Sequence, residues 1–136
     1  MLERFRQSKQ KEIARLRDLE VARRFPKPLH NARPGFARAL KAHGPGAVIA
    51  EFKPASPSRG MINPDLKADQ AGAVFQAGGA AAISVLTEEE HFLSSLDNLG
   101  ALQPCGLPLL RKDFIIDPIQ VRHTAATPAS ALLVIV

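Results

Sequence analysis

The chain has 136 residues, of which 46% are hydrophobic and 23% charged, with a formal net charge of +5. That length suits one compact domain and not two, and the apolar fraction is enough to build a core. The single cysteine excludes a disulfide framework and a cysteine-based metal site. No apolar run approaches the roughly 20 residues of a membrane span. The N-terminus is charged from Glu3 onward and lacks the apolar stretch of a signal peptide, so a cytoplasmic protein is expected.

Residues 2–24 read as a helix. Leu2, Phe5, Ile13, Leu16 and Leu19 recur at helical spacing among charges, and Pro26 and Pro28 end it. Much of the basic excess lies here, interleaved with acids, which reads as a solvated helix face and not as a nucleic-acid surface; aromatic stacking partners are few. The positive balance also suits an anionic small substrate. Residues 34–42 suggest a second short helix, with Phe36 and Leu40 on one face. Gly44-Pro45-Gly46 is a break. Residues 1–46 are therefore expected to form an extension ahead of the main domain, residues 47–136.

A pattern then repeats. Residues 47–53 read as a strand. Asn63-Pro64-Asp65 is expected to open a helix that carries Leu66, Gln70, Val74 and Phe75 and stops at Gly78-Gly79. Residues 81–87 are the next strand. Ser94 or Ser95 caps a short helix with Leu96, Leu99 and Leu102. Residues 108–112 are the third strand, Asp117-Pro118 opens the third helix of the series, and residues 131–136 are the fourth strand. Strand and helix alternate at roughly 30 residues per unit, the size of a βα repeat, which implies right-handed crossovers and a parallel sheet. The strands are nearly all apolar, as in a sheet covered on both faces. No GxGxxG turn or GxxxxGK[ST] loop supports a nucleotide fold.

Polar chemistry gathers at the strand ends: Glu51 and Lys53, Thr87 and Glu88, Lys112 and Asp113. In parallel α/β folds the site sits at the carboxyl end of the strands. Period-two alternation puts Glu51 and Lys53 on one face. Taken singly, these groups read as solvent-exposed ion pairs, Ser56 and Ser58 as turn formers around Pro57, and Phe92 and Phe114 as core aromatics. Met61 and His91 read as loop residues, His30, His43 and His123 as surface residues, and Cys105 as inert.

Four stretches taken in series, AVIAEFKPASPSRG (47–60), ISVLTE (83–88), PLLRKDFIIDP (108–118) and ALLVIV (131–136), resemble the first four strands of the indole-3-glycerol phosphate synthase family. The leading LERF…KEIARL segment resembles that family's N-terminal extension. The resemblance implies a TIM (β/α)8 barrel, here its first four βα units only, preceded by the N-terminal helical extension. It implies a carboxy-lyase of tryptophan biosynthesis. Such an enzyme closes a ring in an anthranilate-linked deoxyribulose phosphate with loss of carbon dioxide and water, using no metal or organic cofactor. By position in the motifs, Lys112 matches the general acid, Lys53 a second lysine pairing with acids and substrate, and Glu51 a carboxylate that assists proton transfer and holds the lysines. Ser56, with Pro57 beside it, matches the phosphate-side contact. Phe92, Phe114 and Leu133 match positions that pack on the substrate's aromatic ring.

A full barrel needs about 200 residues, so the resemblance also implies that the general base and the main phosphate loops of later strands are missing. The chain is expected to be a truncated product, inactive alone, with two open sheet edges that a complementing C-terminal half or self-association would cover. Thr127-Pro128-Ala129-Ser130 departs from the family's usual Gly-Ala-Asp and is expected to disturb the turn into the fourth strand. Two other readings compete with this one. A phosphoribosylanthranilate isomerase does not need the EFK and RKDF motifs together, and a basic nucleic-acid module has only the charge in its favour.

Overall fold

A computed structural model describes residues 2–135, which form an α/β fold. Its centre is a four-stranded parallel sheet in the order β1-β4-β5-β6, made of β1 (Ile49–Phe52), β4 (Ala82–Leu86), β5 (Leu109–Lys112) and β6 (Ala131–Leu132). A two-stranded antiparallel hairpin, β2 (Ala55–Ser56) with β3 (Gly60–Met61), follows β1 directly. The helices are α1 (Leu2–Val21), α2 (Phe36–His43), α3 (Ala68–Ala77), α4 (Asp97–Leu102) and α5 (Pro118–Thr124). No helix among the described residues is long and apolar enough to cross a membrane.

The alternation of the strands explains the layering. Phe52, Ile83, Val85 and Leu109 point to one side of the sheet and pack with Ala68 and Ala71 of α3 and Leu99 and Leu102 of α4. Burial of such side chains, at about 25 cal/mol per Å² of apolar surface, is the main favourable term. Gly72 lies at the α3–α4 contact, where an added Cβ would sit 3.1 Å from the Cβ of Cys105 and 3.2 Å from Leu102 Cδ2. An alanine there would require the Cys105 or Leu102 side chain to give by a few tenths of an ångström. A second small core joins α1 to α5 through Ile13, Leu16 and Ile119, with Leu19 and Phe25 beside it.

Local signals set most of the boundaries. Asp117 caps α5, its Oδ1 accepting from the Ile119 N–H at 2.9 Å, and Gln120 Oε1 accepts from the Ile116 and Asp117 N–H groups at 2.8 and 3.2 Å. Gly79, at φ +81°, closes α3 in the left-handed conformation that its position requires.

Other boundaries differ from expectation. Asn63 does not open α3: its side chain accepts from Asp65 N–H at 3.2 Å in a local turn, and the helix begins after Lys67. That competition between side chain and backbone is ordinary for asparagine. Val74 is exposed and not part of the core. The fourth strand is short: only Ala131 and Leu132 pair in the ladder, with Leu133 N–H adding one bond to Arg111 O at 3.0 Å, and Val136 lies outside the described residues. The TPAS turn is tied by its own hydrogen bonds. Thr127 Oγ1 donates to Thr124 O at 2.7 Å, and the Arg33 guanidinium donates to Ala125 O and Thr127 O at 2.7 and 2.8 Å, closing the end of α5.

Candidate active site

The strand ends bring three of the expected groups together. Lys112 Nζ donates to Glu51 Oε2 at 2.7 Å, and Lys53 Nζ lies 3.5 Å from Glu51 Oε1. β1 and β5 are not neighbours, since β4 runs between them. Glu51 pairs in register with Ser84, and Leu86 with Lys112. The contact therefore spans β4 on the face opposite the α3–α4 core, and the Ser84 hydroxyl donates to the same Glu51 oxygen at 3.4 Å. Partial burial pushes the Glu51 carboxyl up, but the Lys112 and Lys53 ammonium groups outweigh it and hold the pKa below the ordinary glutamate value. The result is a carboxylate clamped between two amines, each partly open to water.

Beside Lys112 is a small apolar cavity of about 60 Å³, lined by Leu86, Phe92, Phe114, Leu133 and Ile135 with Glu88 and Asp113 at its margin. The three expected ring-packing residues thus share one recess with Lys112. Phe5 of α1 stacks on Phe114, with ring centroids 4.2 Å apart at 10°, and lies 6.2 Å from the Phe92 ring. No motif in the sequence signals this coverage by the leading helix. Ser56 and Pro57 sit in the β2–β3 hairpin just past β1, half-buried and exposed respectively. Ser56 Oγ is 3.4 Å from Ser58 Oγ, and no hydrogen bond among the described residues ties it to Glu51 or the two lysines.

The single polar rim expected from sequence is in fact two arrays on opposite sides of the sheet. Thr87, Arg111 and Asp113 turn toward α1 and are almost fully buried. Asp113 Oδ2 accepts from Thr87 Oγ1 at 2.6 Å and from Arg111 at 3.0 Å, while Oδ1 accepts from Lys9 at 2.7 Å and from the Phe114 N–H at 2.8 Å. Glu12 completes the group, 2.8 Å from Lys9 and 3.1 Å from Arg111. The Arg111 guanidinium also donates to Thr124 Oγ1 at 3.0 Å. Burial opposes the charge on both Lys9 and Asp113, but each partner outweighs it, so Lys9 is held above its ordinary pKa and Asp113 below. The face of α1 carrying Lys9 and Glu12 is therefore not a solvated one. A larger polar cavity of about 310 Å³ on this side is lined by groups of both signs, including Lys9, Glu12, Glu88, Arg111 and His123.

Two histidines are more buried than their place in the sequence suggests. His91 lies in a turn, as expected of a loop residue, but it is buried, its Nδ1 3.2 Å from Glu88 Oε1 and its Nε2 accepting from Arg4 Nε at 2.9 Å. Phe5 meets its ring edge-on at 4.8 Å. His123 is half-buried and not a surface residue; its Nδ1 has no hydrogen-bond partner, and burial, then Arg111, lower its pKa. Among the described residues no group of three or more His, Cys, Asp or Glu side chains is arranged to hold a metal ion.

Residues 2–136 match the family of indole-3-glycerol phosphate synthases. The chain is 39% identical over 138 aligned residues to the indole-3-glycerol phosphate synthase of Desulforamulus reducens, covering 99% of this chain and 52% of that protein. It is 41% identical to the synthase of Carboxydothermus hydrogenoformans, covering 98% and 51%. With that of Desulfosudis oleivorans it is 50% identical over 100 residues, 73% of this chain and 38% of the other. The chain spans about half the length of the curated relatives it matches. Its parallel α/β sheet, its paired strand-end motifs and a match running from residue 2 to residue 136 lead to one conclusion: this chain belongs to the indole-3-glycerol phosphate synthase family.

Proposed function

We propose that these 136 residues supply the general-acid side of an indole-3-glycerol phosphate synthase site. On this reading residues 47–136 are the first four units of a (β/α)8 barrel and residues 1–46 its leading extension. The observation that carries the reading is the Glu51 carboxylate held between Lys112 at 2.7 Å and Lys53 at 3.5 Å, beside an apolar recess lined by Phe92, Phe114 and Leu133.

The chemistry follows from those groups. The recess takes the flat aromatic ring of the substrate and sets its adjacent carbon near the sugar carbonyl. Lys112 donates a proton to the carbonyl oxygen as the new carbon–carbon bond forms, so negative charge does not accumulate there. Loss of the ring carboxylate as carbon dioxide, then of water, completes an indole. Acid catalysis of this kind contributes about 10² to 10⁴ in rate. Glu51 aims both amines and takes part in proton return. Lys53, Ser56 and Pro57 face the anionic sugar phosphate. A Lys is a suitable acid because its ammonium is compact and responds to its surroundings. The reaction is a lyase step in tryptophan biosynthesis, in the cytoplasm, with no cofactor.

The base and the rest of the phosphate site come from further βα units. Acid alone does not preorganise the transition state, so the 136-residue chain by itself has no turnover. The test is a chimera in which this chain replaces the first half of the Carboxydothermus hydrogenoformans relative. Turnover by the chimera, with none by the 136 residues alone, is the expected result. A folded chimera that binds neither substrate nor product overturns the reading. Family membership speaks against an isomerase, and two cations of α1, Lys9 and Arg17, are engaged with Glu12, Asp113 and Asp117, which weakens the case for a nucleic-acid surface.

A further inference from the structure

The alternation along β5 gives one strand two tasks. Leu110, Lys112 and Phe114 alternate with Leu109, Arg111 and Asp113, and only the second set is buried. A slip of one residue would exchange Arg111 with Lys112 and turn the whole strand inside out. Something must therefore fix the strand end, and hydrophobic burial does this weakly where both sides carry charge.

We propose that Lys9 and Glu12 of α1, acting through Arg111 and Asp113, are positioning residues that set the reach of Lys112 toward Glu51 and the seat of Phe114. The buried group is closed on itself: two cations, Lys9 and Arg111, face two carboxylates, Glu12 and Asp113, with distances of 2.7 to 3.1 Å. Asp113 accepts four donors, one being the Phe114 backbone N–H at 2.8 Å. That last bond fixes the chain direction just after Lys112. Buried polar groups that are satisfied in only one register specify that register. One turn earlier on α1, Phe5 covers the Phe114 ring at 4.2 Å. The leading helix therefore holds β5 from behind by charge and touches the recess in front by an aromatic ring.

The inference deepens the reading of Lys112 as the acid and rests on it for its catalytic meaning, but the geometry has its own readout. The groups facing Glu51 and Lys112 are Lys53 on the β1 side and Ser84 on β4; Glu88 lines the recess beside Lys112, while the Asp113 carboxylate is turned to the other side, toward α1. The Glu51 carboxyl reports the distance to Lys112, because Lys112 helps to hold its pKa down. Its carbon-13 shift is titrated in the 136-residue chain, assigned by its disappearance in Glu51→Gln, and compared in Lys112→Met, Lys9→Met, Thr87→Val and Arg17→Ala.

Lys9→Met is expected to move the Glu51 midpoint upward toward that of Lys112→Met, with far-ultraviolet dichroism retained. Thr87→Val, which removes one donor from Asp113 but no charge, moves it the same way by less. Arg17→Ala breaks only the exposed pair with Asp117 and leaves it unchanged. If Lys9→Met does not fold, Thr87→Val decides. A folded Lys9→Met or Thr87→Val chain with the parent's Glu51 midpoint overturns the proposal. Failure of the catalytic reading would instead show as a chimera without substrate binding while these shifts remain.

Discussion

Lys112 and Glu51 are 61 residues apart in the chain, yet the ammonium of one lies 2.7 Å from the carboxylate of the other, across an intervening strand. The contact needs β1, β4 and β5 in parallel order with the observed register. It also needs period-two alternation to send both side chains to the same face. It therefore links the topology to the chemistry more tightly than any local motif does.

The pH dependence of stability follows from the same carboxylates. Glu51 and Asp113 are both held below their ordinary pKa values. A depressed folded-state pKa contributes stability that is present above the unfolded value and lost as pH falls through the folded one. The urea midpoint should be flat from neutral pH down to about pH 5, then fall steadily below about pH 4. Lys9 acts at the other end. Its raised pKa contributes stability below the unfolded value of about 10.4, lost as pH rises further. Asp113→Asn should flatten the acid limb, which urea titrations at a series of pH values will check.

Removing one partner from the buried group should be far worse than removing an exposed one. Lys9 and Asp113 are about 5% exposed or less, and leaving either unpaired strands a buried charge. Lys9→Met should cost about 3 kcal/mol. Arg17 is 63% exposed in its pair with Asp117, and Arg17→Ala should hardly move the unfolding midpoint. Equal urea shifts for the two variants would contradict the burial argument.

Gln120 ties the loop after β5 to α5. Its Oε1 accepts from Ile116 and Asp117 N–H, and its Nε2 donates to Phe114 O at 3.1 Å. The side chain is fully buried. Gln120→Leu leaves those groups without partners and should cost about 1 to 3 kcal/mol. Hydrogen exchange at Ile116 and Asp117 should accelerate well beyond that of β4.

The alternation of strand and helix was legible because the parallel strands are short apolar runs, β4 being buried throughout, and because Asp117-Pro118 and Gly78-Gly79 are strong terminal signals. The convergence of Glu51, Lys53 and Lys112 was legible from strand-end position. The buried ionic group was not. Glu12 meets Arg111 across 99 residues, and no local rule pairs such distant charges. One sign was available: Phe5, Lys9, Glu12, Ile13 and Leu16 fall on one helical stripe, so a Lys–Glu pair stood inside the apolar face. Burial of His91 was equally hidden, since its partners Arg4 and Phe5 are some 87 residues away. The late start of α3 reflects an asparagine satisfied by its own turn.

The most direct test of the account is the turnover rate of the chimera before and after Lys112→Ala. The account predicts that kcat falls by about 10² to 10⁴ with the fold intact, and that Lys112→Arg, which keeps the charge but is a far weaker acid, does not restore it. A Lys112→Ala chimera that turns over at the parent rate would contradict it.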